Sequence, residues 1–314
     1  MWERLERAVE SLRRRGYAVR VGEQIHGGGV TGAAAARAAE LTAMLTDPEV
    51  AAVVPPWGGE LAVQVLDHLD WCALASADPT WLVGFSDLTT IMVPLATRLG
   101  WASLHGANLM DTPYEPAPGL AHWTDVASAT APVVQRSPGR YRTTGWDDYT
   151  SDPGVTTVPL DGRGGWELVG ATSLDVTARL IGGCIDVLSP IAGTAYVDVA
   201  GFGRDHAGDG LVVYLEAAEI DAYAVCRALH GLRMAGWFEH ARAIVIGRTG
   251  APDVPDLSQR EAVLDALGGL GLPIVLDVEC GHVQPYATLV NGALTRLVVD
   301  GERHEIVQEW SAGA

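Results

Sequence analysis

Positive charge is scarce in this chain relative to negative. Its 21 Lys and Arg stand against 39 Asp and Glu, a formal net charge of −18 over 314 residues. Gripping a phosphate backbone needs clustered cations, so this balance argues against a nucleic-acid surface and against docking on anionic membranes. Cysteine is scarce too. Cys72, Cys184, Cys226 and Cys280 lie far apart and form no CxxC pair. In a chain this long they read as reduced, buried thiols of a cytosolic protein. No run reaches the roughly 18 apolar residues of a membrane span, and residues 1–16 are charged and helical in pattern rather than a secretory leader. The expected address is the cytoplasm. Neither a GxxxxGK[ST] loop nor a strand-linked GxGxxG is present, so nucleotide binding has little support. The 9 histidines show no metal-ligand spacing, and there is no HExxH or Cys/His cluster. No metal and no cofactor are therefore expected.

What is present is ample apolar material, 48% of residues, over a length that suits two domains. Residues 2–15 carry Leu5, Val9 and Leu12 at helical spacing, ended by Gly16. A short strand over 17–21, a glycine-rich loop over 26–32 and a helix over 33–45 follow. Residues 50–54 form a continuous apolar strand, as in a sheet covered on both faces. Pro55, Pro56, Trp57, Gly58 and Gly59 break it, and a helix is expected over about 60–69. A strand over 81–85, a helix capped by Ser86 or Asp87 and running to Leu99, and a strand over 101–104 continue the alternation. Such alternation implies a doubly wound parallel sheet.

Residues 106–165 change character: Pro, Gly, Asp, Ser and Thr predominate, with Trp123, Tyr141, Trp146 and Tyr149 among them. This excursion is expected to project over a site, and the first domain to close near its end, at 165. Residues 166–314 resume with an apolar stretch over 178–188 and strands over 211–215, 243–247, 273–276 and 295–299. Helices over 221–235 and 258–267 lie between them. The expected architecture is α/β, with a smaller α/β domain following the first.

Three places could carry chemistry. The junction from Trp57 to Val63 feeds an apolar strand through Gly58-Gly59 into a helix, and so can expose a residue or aim backbone N–H groups at an anion. On local pattern alone an ordinary tight turn explains it better. Glu216 ends the strand over 211–215, where ligands of open α/β sheets bind. Gly281-His282-Val283-Gln284-Pro285 holds a histidine in a Gly- and Pro-defined loop, a better base candidate than one on a helix face. Each taken alone reads as structural. Cys184 and Cys280 read as buried and inert.

Taken together, the segments resemble the LD-carboxypeptidase family, which includes the microcin C self-immunity peptidases. Val53 to Asp70, with Gly58-Gly59 and Leu69-Asp70, looks like the family's nucleophile turn and first helix. Gly84-Phe85-Ser86-Asp87 followed by His105-Gly106 looks like its GxSD…HG signature. Arg179 to Gly183 with Gly193-Thr194, Leu215-Glu216, and Gly281-His282 with Pro285, Thr288-Leu289 and Gly292 match its C-terminal segments in order.

The resemblance implies a flavodoxin-like first domain bearing a nucleophilic serine, a second domain bearing glutamate and histidine, and a site between them. It implies hydrolysis of a small peptide or aminoacyl-type ligand with a free carboxylate end, by a soluble homodimer. His282 is then the base and Glu216 its partner, with oxyanion donors near Gly58, Gly59 and Val63. Ser86, Asp87, His105, Trp123 and Trp146 are expected to contact substrate. Two departures stand out. Counting three residues on from Gly59 puts the family's serine at Ala62, which has no nucleophile. That leaves a hydrolase in which Glu60 acts on water, a silent pseudo-peptidase that sequesters its ligand, or an acyl-transfer enzyme with another nucleophile. The second departure is at the start, where Met1 leads directly into a helix in place of the family's opening strand and Pro-Ser loop.

Overall fold

The computed structural model describes residues 2–26 and 33–310. The Gly27-Gly28-Gly29 run of the expected glycine-rich loop lies outside them. Along the chain the strands are β1 (Ala52–Val53), β2 (Trp81–Gly84), β3 (Ser103–His105), β4 (Val133–Arg136), β5 (Arg140–Tyr141), β6 (Gly162–Arg163) and β7 (Glu167–Val169). They continue with β8 (Leu174–Cys184), β9 (Leu211–Glu216), β10 (Ala241–Gly247), β11 (Ile274–Val278), β12 (Leu289–Asn291), β13 (Leu294–Asp300) and β14 (Arg303–Glu309). The helices are α1 (Trp2–Arg14), α2 (Ala34–Leu45), α3 (Trp71–Ala75), α4 (Thr89–Leu99), α5 (Trp123–Ala127), α6 (Ile185–Leu188), α7 (Val199–Asp205), α8 (Ala222–Met234) and α9 (Gln259–Leu267).

Two sheets organise the molecule. The smaller has the order β1-β2-β3-β12, parallel through β3 and then antiparallel. The larger has the order β4-β14-β13-β8-β9-β10-β11-β7, with a parallel centre from β8 to β11 and antiparallel flanks. β9 is buried at all six positions, which explains its unbroken apolar run ending in a charged residue. α8 starts where Asp221 accepts the Ala224 N–H at 2.8 Å, and α9 opens on a capping box between Ser258 and Glu261.

The chain does not divide cleanly at 165. β12, from the C-terminal segment, completes the first sheet, and β4, from the 106–165 excursion, edges the second. One apolar core runs from Leu45, Leu82 and Met92 through Ile181 and Leu215 to Leu267. α4 bridges the sheets: Gly183 of β8 sits so close to Thr89 that an added Cβ would lie 2.4 Å from its methyl.

Local expectations fail at two places. Residues 17–21 form no strand, and the helix expected over 60–69 is a 3-10 turn, Ala62–Val65. Ala62, Val65, Leu66 and Leu69 are buried at helical spacing, but the backbone closes i to i−3 bonds, Gln64 N–H to the Leu61 carbonyl and His68 N–H to the Val65 carbonyl, and does not run on as a full helix. All four cysteines are free, and among the described residues no helix is long and apolar enough to cross a membrane.

Candidate active site

β2 delivers the centre of the site. It ends at Gly84, and Phe85 leads into Ser86, one of two described non-glycine residues at positive φ (66°). α4 begins three residues later. A left-handed residue between a strand and a helix forms a sharp turn that lifts its side chain clear of the sheet. Such strain persists only where the surroundings hold it. Here Gly58 packs under the turn, where an added Cβ would stand 2.7 Å from Ser86 Cβ and 3.0 Å from the Asp87 nitrogen. The Gly58-Gly59 turn is therefore a neighbour of Ser86, and a side chain at 58 would displace it.

The other two groups arrive from the larger sheet. Glu216 ends β9 and is fully buried. His282 follows β11 in a loop whose Gly281 has φ 93°; a Cβ there would meet Glu216 Oε2 at 2.4 Å. Glycine at 281 lets the loop press close enough for His282 Nδ1 to reach Glu216 Oε2 at 2.8 Å. On the opposite side of the ring, His282 Nε2 lies 3.1 Å from Ser86 Oγ. With Nδ1–H donated to the carboxylate, Nε2 is left as acceptor for the serine proton. Burial lowers the His282 pKa, but the Glu216 charge and hydrogen bond outweigh it, and the net shift is upward from the usual histidine range. A hydroxyl, an imidazole and a buried carboxylate joined in series can perform nucleophilic acyl transfer.

The expected position of the nucleophile is thus corrected. The hydroxyl at His282 belongs to Ser86, whereas Ala62 lies buried in the neighbouring 3-10 turn and donates its N–H to Asp87 Oδ2 at 2.7 Å. Counting from Gly59 followed the chain, but the serine that meets this turn comes from the next strand. The signal was in the sequence: Gly84-Phe85-Ser86 between an apolar strand and a helix has the pattern of a nucleophile turn. Glu60 is exposed on the rim, and with a serine at hand its substitute role loses its motive.

Three expected substrate contacts are corrected by burial. Asp87 is 2% exposed and uses its carboxylate to hold the Ala62 N–H and the Thr90 hydroxyl. Burial pushes its carboxyl up, and those hydrogen bonds pull it partly back. Trp123 is buried in α5 and donates its indole N–H to Thr112. His105, in β3, is 1% exposed, behind Phe85 and Glu216. Its Nε2 stands 3.9 Å from Glu216 Oε1, too far for a hydrogen bond, and neither ring nitrogen has a partner. Burial pushes its pKa down to about 4, so it is neutral and forms no ion pair with Glu216.

Trp146 does reach the mouth of the cleft. It is 47% exposed and stacks on Phe85, with ring centroids 6.5 Å apart. The excursion that carries it is pinned to the histidine loop. Arg142 forms a two-pronged pair with Asp147 at 2.8 and 3.1 Å, and its backbone N–H donates to the Gln284 carbonyl at 2.8 Å. Tyr149 faces inward instead, between Trp57 and Arg4. The excursion therefore packs partly on its own aromatics and presents one of them to the cleft.

Cys184 Sγ lies within 4.8 Å of the Glu216 and His282 ligand atoms, a spacing that could admit a metal. Burial holds its thiol well above the usual range, and Glu216 and His282 already engage each other.

Family models match this chain in two parts, the LD-carboxypeptidase N-terminal domain over residues 1–106 and the LD-carboxypeptidase C-terminal domain over residues 177–297. The chain belongs to the LD-carboxypeptidase family. A Streptomyces coelicolor protein bearing a carboxypeptidase name is 31% identical over 271 residues, 86% of this chain and 76% of its own length. The microcin C7 self-immunity protein MccF of Escherichia coli is 22% identical over 320 residues, 98% of this chain and 89% of its own. Among solved structures, MccF in complex with aspartyl sulfamoyl adenosine matches with a TM-score of 0.78 at 20% identity, covering 99% of this chain and 92% of that one. A muramoyltetrapeptide carboxypeptidase from Oxalobacter formigenes matches with a TM-score of 0.70 at 20% identity, covering 98% and 94%. These likenesses bear out the two-domain α/β fold.

Proposed function

We propose that this LD-carboxypeptidase family member is a hydrolase that opens an amide or peptide bond through an intact Ser86-His282-Glu216 triad. The observation that carries this reading is the unbroken contact series Ser86 Oγ–His282 Nε2 at 3.1 Å and His282 Nδ1–Glu216 Oε2 at 2.8 Å, with Ser86 held at positive φ. Ser86 Oγ attacks the scissile carbonyl carbon while its proton passes to His282 Nε2. Glu216 keeps the imidazole in the required tautomer and stabilises the imidazolium. His282 then returns the proton to the leaving amine, and water, activated by the same histidine, releases the acid from Ser86. The oxyanion is received by the backbone N–H of Asp87, which follows the nucleophile, together with an N–H of the Gly58-Gly59 turn. Val63 is a less suitable donor, lying beyond the turn that faces Ser86.

The names of the relatives support a substrate class for this reading: a murein peptide or an aminoacyl nucleotide-like amide with a free carboxylate. Trp146 offers a ring face beside Ser86 on which a planar group can stack. A homodimer in the cytoplasm belongs to the same reading, and light scattering checks the assembly. The pseudo-peptidase and the acyl-transfer enzyme with another nucleophile both rested on Ala62, and Ser86 removes the reason for either.

The deciding experiment incubates the protein with a murein tetrapeptide and with an aminoacyl sulfamoyl adenosine, following products by mass spectrometry. Cleavage of one of them is expected, with a loss of roughly three orders of magnitude or more in Ser86→Ala. Ala62→Ser is expected to add no activity. Full turnover by Ser86→Ala would sink the assignment.

A further inference from the structure

A second cluster of metal-type ligands lies away from the cleft, on the paired helices α8 and α9. Cys226 and His230 are one turn apart on α8, so both side chains face the same way. Asp265 of α9 stands opposite them. Its Oδ2 is 3.4 Å from Cys226 Sγ and 3.5 Å from His230 Nε2, and the three ligand atoms all lie within 4.8 Å of one another. A tetrahedral zinc ion with bonds of about 2.0–2.3 Å to oxygen, nitrogen and sulfur sets its ligands about 3.3–3.6 Å apart. Both contacts to Asp265 fall in that range. The three residues also offer the thiolate, imidazole and carboxylate that zinc prefers.

We infer that Cys226, His230 and Asp265 form a binding site for a divalent transition metal of the zinc type, with solvent at the fourth position. The helices already hold the thiol and the imidazole at coordination spacing from Asp265, so binding requires little movement of the backbone. Cys226 and His230 are half-buried and Asp265 is exposed, so an ion can enter without unfolding. Without an ion, burial, then the hydrogen bond to Asp265 and its charge, push the Cys226 thiol up. A bound cation reverses that effect and takes up the thiolate, the displaced proton going to solvent. One side chain must yield. Arg233 Nη2 donates to His230 Nδ1 at 3.1 Å, which places the ring proton on Nε2. Coordination through Nε2 moves that proton to Nδ1 and turns the exposed Arg233 aside.

The site would staple the helix that follows the Glu216 strand to the helix that precedes β11 and the His282 loop. It therefore acts on stability rather than on the reacting groups. Sequence reading finds no Cys/His cluster because only two of the ligands share a helix; the third comes from α9.

The test titrates the metal-free full-length chain with Co²⁺ and Zn²⁺. One equivalent of Co²⁺ is expected to produce a thiolate-to-cobalt charge-transfer absorption, which Zn²⁺ abolishes by competition. Cys226→Ser is expected to lose that band, and His230→Ala to weaken cobalt binding at least tenfold. Zinc is expected to raise the unfolding midpoint of the native chain but not of His230→Ala. A native chain without the band overturns the site. So does a band that persists in Cys226→Ser, which would assign the thiolate to another cysteine.

Discussion

In His282 two opposed effects meet, and the winner fixes a measurable pH. Burial favours the neutral ring, while Glu216 at 2.8 Å favours the imidazolium, and the net shift is upward. A base must be neutral to take a proton, so kcat/KM is expected to rise with pH through a midpoint above the usual histidine value of about 6.5. Glu216→Gln removes the charge. The acid limb should then move to lower pH while kcat falls roughly 10²- to 10⁴-fold. An unmoved limb in that variant would assign the titration to another group. His105 shows the opposite balance: burial, helped by the His282 charge, outweighs the pull of Glu216. Its folded pKa of about 4 lies below its unfolded value, so the unfolded chain binds the proton more readily. The stability this contributes is full above about pH 6.5 and is lost as pH falls toward 4. Urea denaturation across that window should show a shallower pH dependence in His105→Gln than in the native chain. Glu216 and His282 were legible because a strand end and a Gly-flanked loop mark them locally. Ser86 was legible as a motif, yet its partnership with the Gly58-Gly59 turn was not, because it depends on the packing of β2 against a segment before it.

At the scale of elements, the Ser86 turn and the Ala62–Val65 turn are one unit. Asp87 joins them, its Oδ2 accepting the Ala62 N–H at 2.7 Å and its Oδ1 the Thr90 hydroxyl at 3.4 Å. Asp87→Ala leaves a buried N–H without its acceptor, a loss of about 1–3 kcal/mol. It also frees the Gly58-Gly59 turn against Ser86. Urea midpoints should therefore fall and kcat should drop, with Asp87→Asn, which keeps an acceptor oxygen, recovering part of both. Equal loss in both variants would show that the charge, rather than the acceptor, holds the turn. The helix expected over 60–69 failed for a related reason. The segment keeps the buried stripe of a helix, Ala62, Val65, Leu66 and Leu69, but its Ala62 N–H is tied to the Asp87 carboxylate and only a 3-10 turn forms.

At the scale of the molecule, the two halves exchange strands. β12 belongs to the C-terminal segment but pairs with β3, while β4 belongs to the excursion and pairs with β14. Residues 1–165 and 166–314 expressed apart would each leave a sheet edge open and a shared apolar core cut, which invites aggregation. Neither half is expected to give a cooperative melt, whereas the whole chain is expected to unfold in a single transition. A stable, monomeric 166–314 fragment would contradict this.

The sequence by itself determined the α/β class, the order of most strands and helices, and two of the three groups in the contact series. Local signals suffice for these: apolar runs, caps, glycines and a strand-end carboxylate all act within a few residues. Tertiary structure alone decided which hydroxyl meets His282, why Asp87, His105 and Trp123 are withdrawn from the cleft, and how β4 and β12 cross between sheets. These outcomes turn on contacts between groups far apart in the chain. His282 and Ser86 are separated by 196 positions and touch at 3.1 Å. No pattern in the residues between them specifies that distance; the packing of two sheets across α4 does.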